Sequence, residues 1–257
     1  MKLNYTDQGS GSAVILMHGM FGSLSNLGNL AKVLARSNRV LSVDLRNHGD
    51  SPHEEEMDLG LMAADVVELM NDLNLPSAIL IGHSLGGKIA MQVALNSPKL
   101  VSQLVVADIS PVNYPQTNNA PVLDALNALA ELQVTSRREA DELLAEYVAD
   151  PMTRAFLLKN LARKADGEFG LKLNMESISK NYGTSLVAAP TGAVFDGPTL
   201  FLKGETSAYI QEKHQPGIKA FFPNFQLEVI SGVGHWLHAE KPDVFNNLVT
   251  GFLDANS

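Results

Sequence analysis

The chain has 257 residues, of which 45% are hydrophobic and 18% are charged. These values are near the averages of globular proteins, and they exclude a disordered chain, a collagen-like repeat and a coiled coil. The sequence contains no cysteine, so it cannot form disulfides, thiolate nucleophiles, cysteine-bound zinc sites or iron–sulfur clusters. Any covalent chemistry must therefore use oxygen or nitrogen nucleophiles.

Acidic residues outnumber basic ones, with 28 Asp and Glu against 19 Lys and Arg, which gives a formal net charge of -9. No Lys-rich or Arg-rich block stands out, so nucleic acid is not an expected partner. Residues 1–7 lack the features of a signal peptide, and no apolar stretch approaches the roughly 18 residues of a membrane span. We expect a cytoplasmic protein without a membrane partner, and the sequence leaves its oligomeric state open.

Short β-branched and aliphatic runs alternate with amphipathic stretches along the chain. The predicted strands cover residues 13–18, 39–45, 77–82, 100–109, 198–203 and 225–231. The predicted helices between them cover residues 26–35, 58–73, 85–96 and 242–253. Such alternation is typical of βαβ units. The sequence therefore predicts an α/β fold with a mainly parallel central sheet flanked by helices.

This alternation stops in residues 111–196, where helical patterns follow one another without intervening long strands. A turn pair, Asp166-Gly167, next to alternating apolar residues predicts one small hairpin there; these residues are Phe169, Leu171 and Leu173. We interpret residues 111–196 as an inserted helical cap. Residues 1–110 and 197–257 then form the core domain.

A Gly-x-Ser-x-Gly sequence, Gly82-His83-Ser84-Leu85-Gly86, lies between a predicted strand and a predicted helix. In a nucleophile elbow the turn is so tight that small residues are needed two positions before and after the serine. The helix N-terminus beneath the serine offers free N–H groups to a developing anion. This context favours a catalytic serine over a chance Gly-Ser turn, and it predicts Ser84 as the nucleophile.

A serine hydroxyl is a weak nucleophile at neutral pH, so it needs a base that a third group orients. Seven histidines are available. His235 follows the last predicted strand, where a loop can return it to the edge of the sheet. We therefore predict His235 as the base, and we assign His238 to a helix start or to the surface.

Two carboxylates compete for the role of the orienting acid. Asp108 lies at the end of the strand predicted over residues 100–109, and Glu205 follows the strand predicted over residues 198–203. Either carboxylate could instead cap a turn. We favour Asp108 because a short carboxylate at the carboxyl end of a strand is where such sheets place catalytic groups.

An acyl-transfer reaction also needs two donors for the tetrahedral oxyanion. The backbone N–H of Leu85, the residue after the serine, is the first predicted donor. The loop of residues 18–23 is expected to supply the second, from the N–H of Met20, with Phe21 as the alternative. Because these donors are backbone groups, their side chains matter little for this role.

These motifs resemble those of the α/β-hydrolase superfamily over essentially the whole chain, and within it those of the small YbfF-type bacterial esterases. The resemblance rests on residues 18–23, 44–51, 82–88, 107–112 and 234–243. It implies an α/β-hydrolase fold with an inserted helical cap, and an ester hydrolase with a Ser/His/Asp triad. The residues imply no metal site, and we expect no cofactor. In the YbfF-type group the acid comes from the earlier strand, which supports Asp108. The chain departs from the usual superfamily pattern because no Asp follows Gly204.

The substrate pocket is expected to be mostly apolar. Phe21 and Trp236 are candidates to line it. Arg46 is a further candidate for substrate contact, although an ion pair with Asp44 is the simpler expectation.

Four basic residues in the cap could attract an anionic substrate such as an acyl-CoA, or they could form a solvated helix face. They are Arg154, Lys159, Arg163 and Lys164.

Taken together, the residues predict a serine hydrolase that cleaves carboxylic esters, or acyl thioesters such as acyl-CoA, through an acyl-enzyme on Ser84. One alternative is a carbon–carbon bond hydrolase of the same fold. The other is a non-catalytic protein that uses the fold to bind a ligand. The presence of a serine, a histidine and an acid candidate weighs against the last, because binding alone does not require all three.

Overall fold

The computed structural model describes residues 1–115, 120–163, 167–183 and 187–257. The strands in these ranges are β1 (Tyr5–Gly9), β2 (Ser12–Met17), β3 (Asn38–Val43), β4 (Ala78–His83), β5 (Val101–Ala107), β6 (Leu161–Arg163), β7 (Phe169–Leu171), β8 (Thr199–Gly204) and β9 (Phe225–Ile230).

The helices of the described ranges are α1 (Gly28–Leu34), α2 (Leu59–Asp72), α3 (Leu85–Asn96), α4 (Ala120–Glu131), α5 (Arg137–Ala145), α6 (Pro151–Leu157), α7 (Met175–Asn181), α8 (Gln215–Phe221), α9 (Leu237–Glu240) and α10 (Pro242–Ala255). None of these helices is long and apolar enough to cross a membrane.

The main sheet, as far as the structure describes it, has seven strands in the order β1-β3-β2-β4-β5-β8-β9. Strand β1 runs antiparallel to β3, and all the other neighbours in the sheet are parallel. The predicted α/β fold with a mainly parallel central sheet is therefore confirmed. The carboxyl ends of the parallel strands meet at one edge of the sheet, which is where such folds place their sites.

Helices cover both faces of the sheet because the strands are apolar on both sides. On β2, Val14 and Leu16 pack on one face, where the buried side chains of α1 and α10 also lie. Ile15 and Met17 pack on the other face with buried residues of α2 and α3. Successive side chains of a strand point to opposite faces, so each long strand contributes to both parts of the core.

The observed strands of the main sheet agree with the predicted ones to within two residues at each end, apart from β1. Strand β1 was not predicted because four of its five residues are exposed and carry no apolar alternation. The short helices α8 and α9 were not predicted either.

Between β5 and β8 the described chain forms α4 to α7 and a two-stranded sheet of β6 and β7. The pairing of β6 with β7 is antiparallel, which confirms the predicted hairpin; Asp166 of its predicted turn lies outside the described residues. We refer to residues 111–196 as the cap segment. Its status as a separate domain from residues 1–110 and 197–257 stays a prediction.

The two ends of the cap segment are held against α3 by the buried side chain of Lys88. Lys88 Nζ donates to the carbonyl of Val112, at 3.0 Å, just after β5. It also donates to the carbonyls of Val187, at 3.0 Å, and Ala188, before β8. Burial lowers the pKa of Lys88 from its ordinary 10.5 to about 7. One side chain thus fastens both connections between the cap segment and the core.

The depressed pKa of Lys88 predicts a pH dependence of stability. Between about pH 7 and pH 10.5 the unfolded chain binds a proton at Lys88 that the folded protein has released, so the free energy of unfolding rises with pH across that window. Urea unfolding at pH 7, 8 and 9 should show this rise in the wild type. In Lys88→Met the contribution should disappear, and the carbonyls left without a donor should lower stability by about 1–3 kcal/mol.

The exposed Lys99, after the same helix, provides the matched control. Lys99→Met should keep the wild-type slope of stability against pH. An unchanged slope in Lys88→Met would show that Lys88 titrates normally.

Candidate active site

Ser84 lies in a sharp turn between β4 and α3. Its backbone is in the left-handed region, with φ 53° and ψ -116°. A Cβ on Gly82 would lie 2.1 Å from the carbonyl oxygen of Gly86, and a Cβ on Gly86 would lie 2.3 Å from the carbonyl oxygen of Met17. Both glycines are therefore required by space, which is the geometry expected of a nucleophile elbow.

His235 and Asp108 meet at the same edge of the sheet although 127 residues separate them. His235 Nδ1 is 2.7 Å from Asp108 Oδ2. The Asp108 side chain is fully buried, and it also accepts hydrogen bonds from the backbone N–H of Gly204, at 3.1 Å, and from the hydroxyl of Ser207. Each carboxylate oxygen is thus paired.

Glu205, the competing acid, has a different partner. Its Oε2 accepts a hydrogen bond of 2.7 Å from the backbone N–H of Gly232. That bond braces the turn that follows β9. The geometry therefore favours Asp108 over Glu205 as the group that orients His235.

The contact with Asp108 determines which nitrogen of His235 is available. A carboxylate accepts, so Nδ1 carries the proton and Nε2 is left as the basic nitrogen. Ser84 and His235 line the same cavity. Both residues lie in the described part of the chain, and no direct hydrogen bond joins them there. Such bonds are often long in the absence of substrate and tighten when it binds.

Other rings fix the position of the imidazole. The ring of Tyr209 lies 4.2 Å from that of His235, centroid to centroid, and His83 lies 4.7 Å away. Burial and the neighbouring histidines lower the pKa of His83 well below its ordinary value. His83 is therefore neutral at neutral pH, and its Nε2–H donates to the carbonyl of His235, at 2.9 Å.

In the loop after β2, the backbone N–H of Met20 has no hydrogen-bond partner among the described residues. The carbonyl of Gly19 accepts from the N–H of Gly22, at 3.0 Å, and from His18 Nδ1, at 2.7 Å. Within one peptide plane the N–H points opposite to the carbonyl, so these bonds fix the direction of the Met20 N–H. In the described part of the chain that N–H makes no hydrogen bond, and neither does the N–H of Leu85 at the start of α3.

The alternative oxyanion donor, Phe21, is already engaged. Its N–H donates to His48 Nε2, at 3.2 Å. The Nδ1 of His48 lies 2.8 Å from the carbonyl of Arg46, to which it donates. Burial is the main cause that lowers the pKa of His48 to about 3, so the ring stays neutral and accepts from Phe21. The geometry therefore favours Met20 over Phe21 as the second donor.

A cavity of about 250 Å³ opens onto Ser84. Its lining combines the candidate catalytic groups with apolar side chains of the cap segment, and it consists of Gly19, Met20, Phe21, His83, Ser84, Val122, Thr153, Phe156, Leu157, Tyr209, His235 and Trp236. The ring of Phe156 lies 4.2 Å from that of Trp236, so α6 meets the His235 loop across this cavity. Phe21 and Trp236 both line this cavity, and their contact with substrate stays a prediction.

Arg46 is not among the residues that line this cavity, and its role in substrate contact stays a prediction. Its guanidinium forms two hydrogen bonds with the buried carboxylate of Asp65, at 2.6 and 2.8 Å. A third bond goes to the carbonyl of Glu56. The expected ion pair with Asp44 is wrong, because Arg46 pairs with Asp65 and Asp44 accepts from the amides of Leu24 and Asp50. Sequence proximity indicated Asp44, whereas the true partner lies on α2.

Arg154, Lys159 and Arg163, the described members of the basic group in the cap segment, do not line the cavity. Arg154 is bound to Asp141, at 2.9 Å, and to the carbonyls of Val148 and Ala149. Arg163 donates to the carbonyl of Gly167. Lys159 is absent from the lining, and Lys164 lies outside the described residues. Among the residues that the structure describes, no cluster of His, Asp or Glu could hold a metal ion.

Comparison with known proteins places the chain in a family. A family profile described as alpha/beta hydrolase fold matches residues 12–242. The chain belongs to this α/β-hydrolase family. The sn-1-specific diacylglycerol lipase ABHD11 of Xenopus laevis is 40% identical over 95% of this chain and 80% of its own. The Escherichia coli (strain K12) esterase YbfF is 34% identical over 99% of this chain and 100% of its own.

A solved structure points the same way. The structure named marine microorganism esterase superposes with a TM-score of 0.92 and 38% sequence identity, over 98% of this chain and 99% of that one. The chain is therefore an esterase/lipase-type α/β-hydrolase of the carboxylesterase class.

Sequence reasoning did not single out three residues that this α/β-hydrolase places around the His235–Asp108 pair. Ser207 and Tyr209 belong to the loop after β8, and His83 occupies the variable position of the elbow motif. In the folded chain Ser207 contacts the carboxylate of Asp108, while Tyr209 and His83 lie beside the imidazole. The one available signal was the position of Ser207, three residues after Gly204, where a strand-end side chain can reach the site.

The two candidate acids can be separated by isosteric amides. Asp108→Asn removes the acceptor that fixes the His235 tautomer, so kcat for p-nitrophenyl butyrate should fall by about 10³ to 10⁴-fold. Glu205→Gln keeps the volume of a side chain that braces only the Gly232 turn, and kcat should stay within about threefold of the wild type. A larger loss in Glu205→Gln than in Asp108→Asn would reverse the assignment.

Proposed function

We propose that this α/β-hydrolase is a serine carboxylesterase that hydrolyses small acyl esters through an acyl-enzyme on Ser84. The observation that carries the proposal is the 2.7 Å contact between His235 Nδ1 and the buried carboxylate of Asp108, beside a cavity that Ser84 and His235 both line. Relatives named as an esterase and as a diacylglycerol lipase support the same chemistry.

The reaction follows from the roles of these three side chains. Ser84 Oγ attacks the carbonyl carbon of the ester while its proton moves to His235 Nε2. The bond to the alcohol breaks as the imidazolium returns that proton to the alcohol oxygen. A water molecule, deprotonated by the same nitrogen, then attacks the acyl-enzyme and releases the carboxylic acid and Ser84. Asp108 stays ionised and stabilises the imidazolium throughout.

Two backbone amides hold the negative charge that develops on the carbonyl oxygen. The N–H of Leu85 lies at the N-terminus of α3, and the N–H of Met20 lies in the loop across the cavity. Both are fixed before the substrate arrives, so the protein need not reorganise as the charge forms. The absence of any partner for either amide in the described residues supports these roles.

The lining of the cavity supports an uncharged acyl group as the part of the substrate that enters it. The described residues around the cavity include no Lys, Arg, Asp or Glu, and they place Phe156 and Leu157 of α6 beside the reactive serine. A thioester with the same acyl group would undergo the same reaction, because only the leaving atom differs.

The role of Ser84 is tested by Ser84→Ala with a p-nitrophenyl ester. We expect the wild type to release a burst of p-nitrophenol, and the variant to lose at least about 10³-fold in kcat, because no other hydroxyl occupies the elbow. A fluorophosphonate should label the wild type and spare the variant.

Each alternative has its own signature in this experiment. A Ser84 that resists the fluorophosphonate would favour a ligand-binding protein. A labelled enzyme that cleaves a vinylogous diketone but no ester would be a carbon–carbon bond hydrolase. Full turnover in Ser84→Ala would refute the mechanism.

The apolar wall is tested by Phe156→Ala. Loss of the ring pair with Trp236 should lower kcat/KM for a butyrate ester by about three- to tenfold, with a smaller effect on an acetate ester that reaches less of the wall. The exposed cap residue Leu132 provides the control, since Leu132→Ala should change neither ester. Equal losses for both esters in Phe156→Ala would place Phe156 outside the acyl site.

A further inference from the structure

Phe21, in the candidate oxyanion loop, is held by hydrogen bonds on both of its peptide groups. Its N–H donates to His48 Nε2, and its carbonyl accepts a hydrogen bond of 2.7 Å from Asn160 Nδ2. Phe21 has a φ of 61°, in the left-handed region that L-residues rarely adopt. A backbone in this conformation persists only where its surroundings hold it, and these two bonds do so.

Asn160 belongs to the cap segment, 139 residues away from Phe21 along the chain. It ends the 3-10 turn Leu158–Asn160 that directly follows α6. Its side chain is buried, with 3% exposure, and the same Nδ2 donates to the carbonyl of Leu157. The amide group is thus fixed to its own helix end while it holds the loop of the core.

The two bonds on Phe21 bear directly on the neighbouring Met20. One fixes the peptide plane between Met20 and Phe21, and the other fixes the plane that follows Phe21. The hydrogen bonds on the carbonyl of Gly19 fix the peptide plane that carries the Met20 N–H. With the planes on both sides of Phe21 fixed as well, the N–H of Met20 is held in a single orientation. Asn160 is not among the residues that line the cavity, so any effect it has on the reaction must pass through Phe21.

We propose that Asn160 is a positioning residue for the oxyanion hole, through which the placement of the cap segment determines whether the Met20 amide is aligned for catalysis. The inference rests on the proposed function. Helix α6 presents Phe156 and Leu157 to the acyl site, and Asn160 lies one turn beyond them. The helix end that presents the acyl wall therefore also holds Phe21, so the position of α6 that forms the wall is the one in which the Met20 amide is aligned.

Two variants separate this role from simple stability. Asn160→Asp keeps the shape of the side chain but replaces the donor with an acceptor, and Asn160→Ala removes the group. Ser177→Ala is the matched control, because Ser177 is a buried cap residue that joins the core elsewhere, accepting from Asn47 Nδ2 and donating to the carbonyl of Glu55. Urea unfolding of all three variants identifies losses of stability.

The decisive measurements are kcat and KM for p-nitrophenyl acetate, and inhibition by a trifluoromethyl ketone, whose adduct with Ser84 carries an oxyanion. In both Asn160 variants we expect kcat to fall by about 10- to 100-fold, which is less than removal of a whole oxyanion donor costs. KM should stay within about twofold, and the inhibition constant should rise by the same factor as kcat falls. Ser177→Ala should lose stability while keeping kcat and inhibitor affinity.

Three results would overturn the inference. Either folded Asn160 variant could retain wild-type kcat, the inhibitor could bind both variants as tightly as the wild type, or Ser177→Ala could lose kcat to the same extent. Failure of the proposed function looks different, because the wild type would then hydrolyse no ester or Ser84→Ala would keep full activity. A wild type whose activity depends on Ser84, together with any one of these three results, refutes the positioning role and leaves the proposed function intact.

Discussion

The carboxylate of Asp108 is fully buried, and a buried charge is costly unless hydrogen bonds replace the water it has lost. The donors that replace water come from three chain segments: Gly204 at the end of β8, Ser207 in the loop after it, and His235 in the loop after β9. Each donor gains from satisfying the charge, so the carboxylate draws these segments to the end of β5. The placement of the imidazole, and with it the basic nitrogen near Ser84, depends on this one group.

The cap segment meets the core through directional polar contacts as well as apolar packing. Lys88 fastens its two ends to the helix that begins beside Ser84, and Asn160 fastens its middle to the oxyanion loop. Apolar side chains can repack with a small loss of stability, whereas a buried donor that loses its acceptor lowers stability by the free energy of its lost hydrogen bond. These polar contacts therefore define one position of the cap segment over the cavity, and that position brings Phe156 and Leu157 to the acyl site.

The fold and part of the site could be predicted from sequence because they depend on local signals. The long strands can be recognised in the sequence as apolar runs. The elbow can be recognised as well, because a side chain at Gly82 or Gly86 would clash with neighbouring backbone, so both positions must be glycine. Strand β1 has no apolar pattern in the sequence, because its extended conformation depends on pairing with β3 and not on burial of its side chains. The partner of Arg46 lies on α2 and that of Glu205 lies after β9, so local patterns could not identify either.

His238 was predicted to lie at a helix start or on the surface. It does lie in the first turn of α9, but its side chain is buried beside His83.

The position of the acid shows how neighbouring strands can exchange a role. Strands β5 and β8 are adjacent and parallel, so their carboxyl ends lie about 4.8 Å apart, the usual spacing of paired strands. A carboxylate after either strand can reach a histidine on the loop that follows β9. Here the carboxylate follows β5, and the loop after β8 supplies the hydroxyl of Ser207 instead. A second carboxylate there would repel Asp108, because like charges a few ångströms apart are unfavourable, whereas the hydroxyl of Ser207 donates a hydrogen bond to Asp108. The absence of an Asp after Gly204 therefore fits the presence of Asp108, because the loop after β8 contributes a donor to the existing carboxylate instead of a second charge.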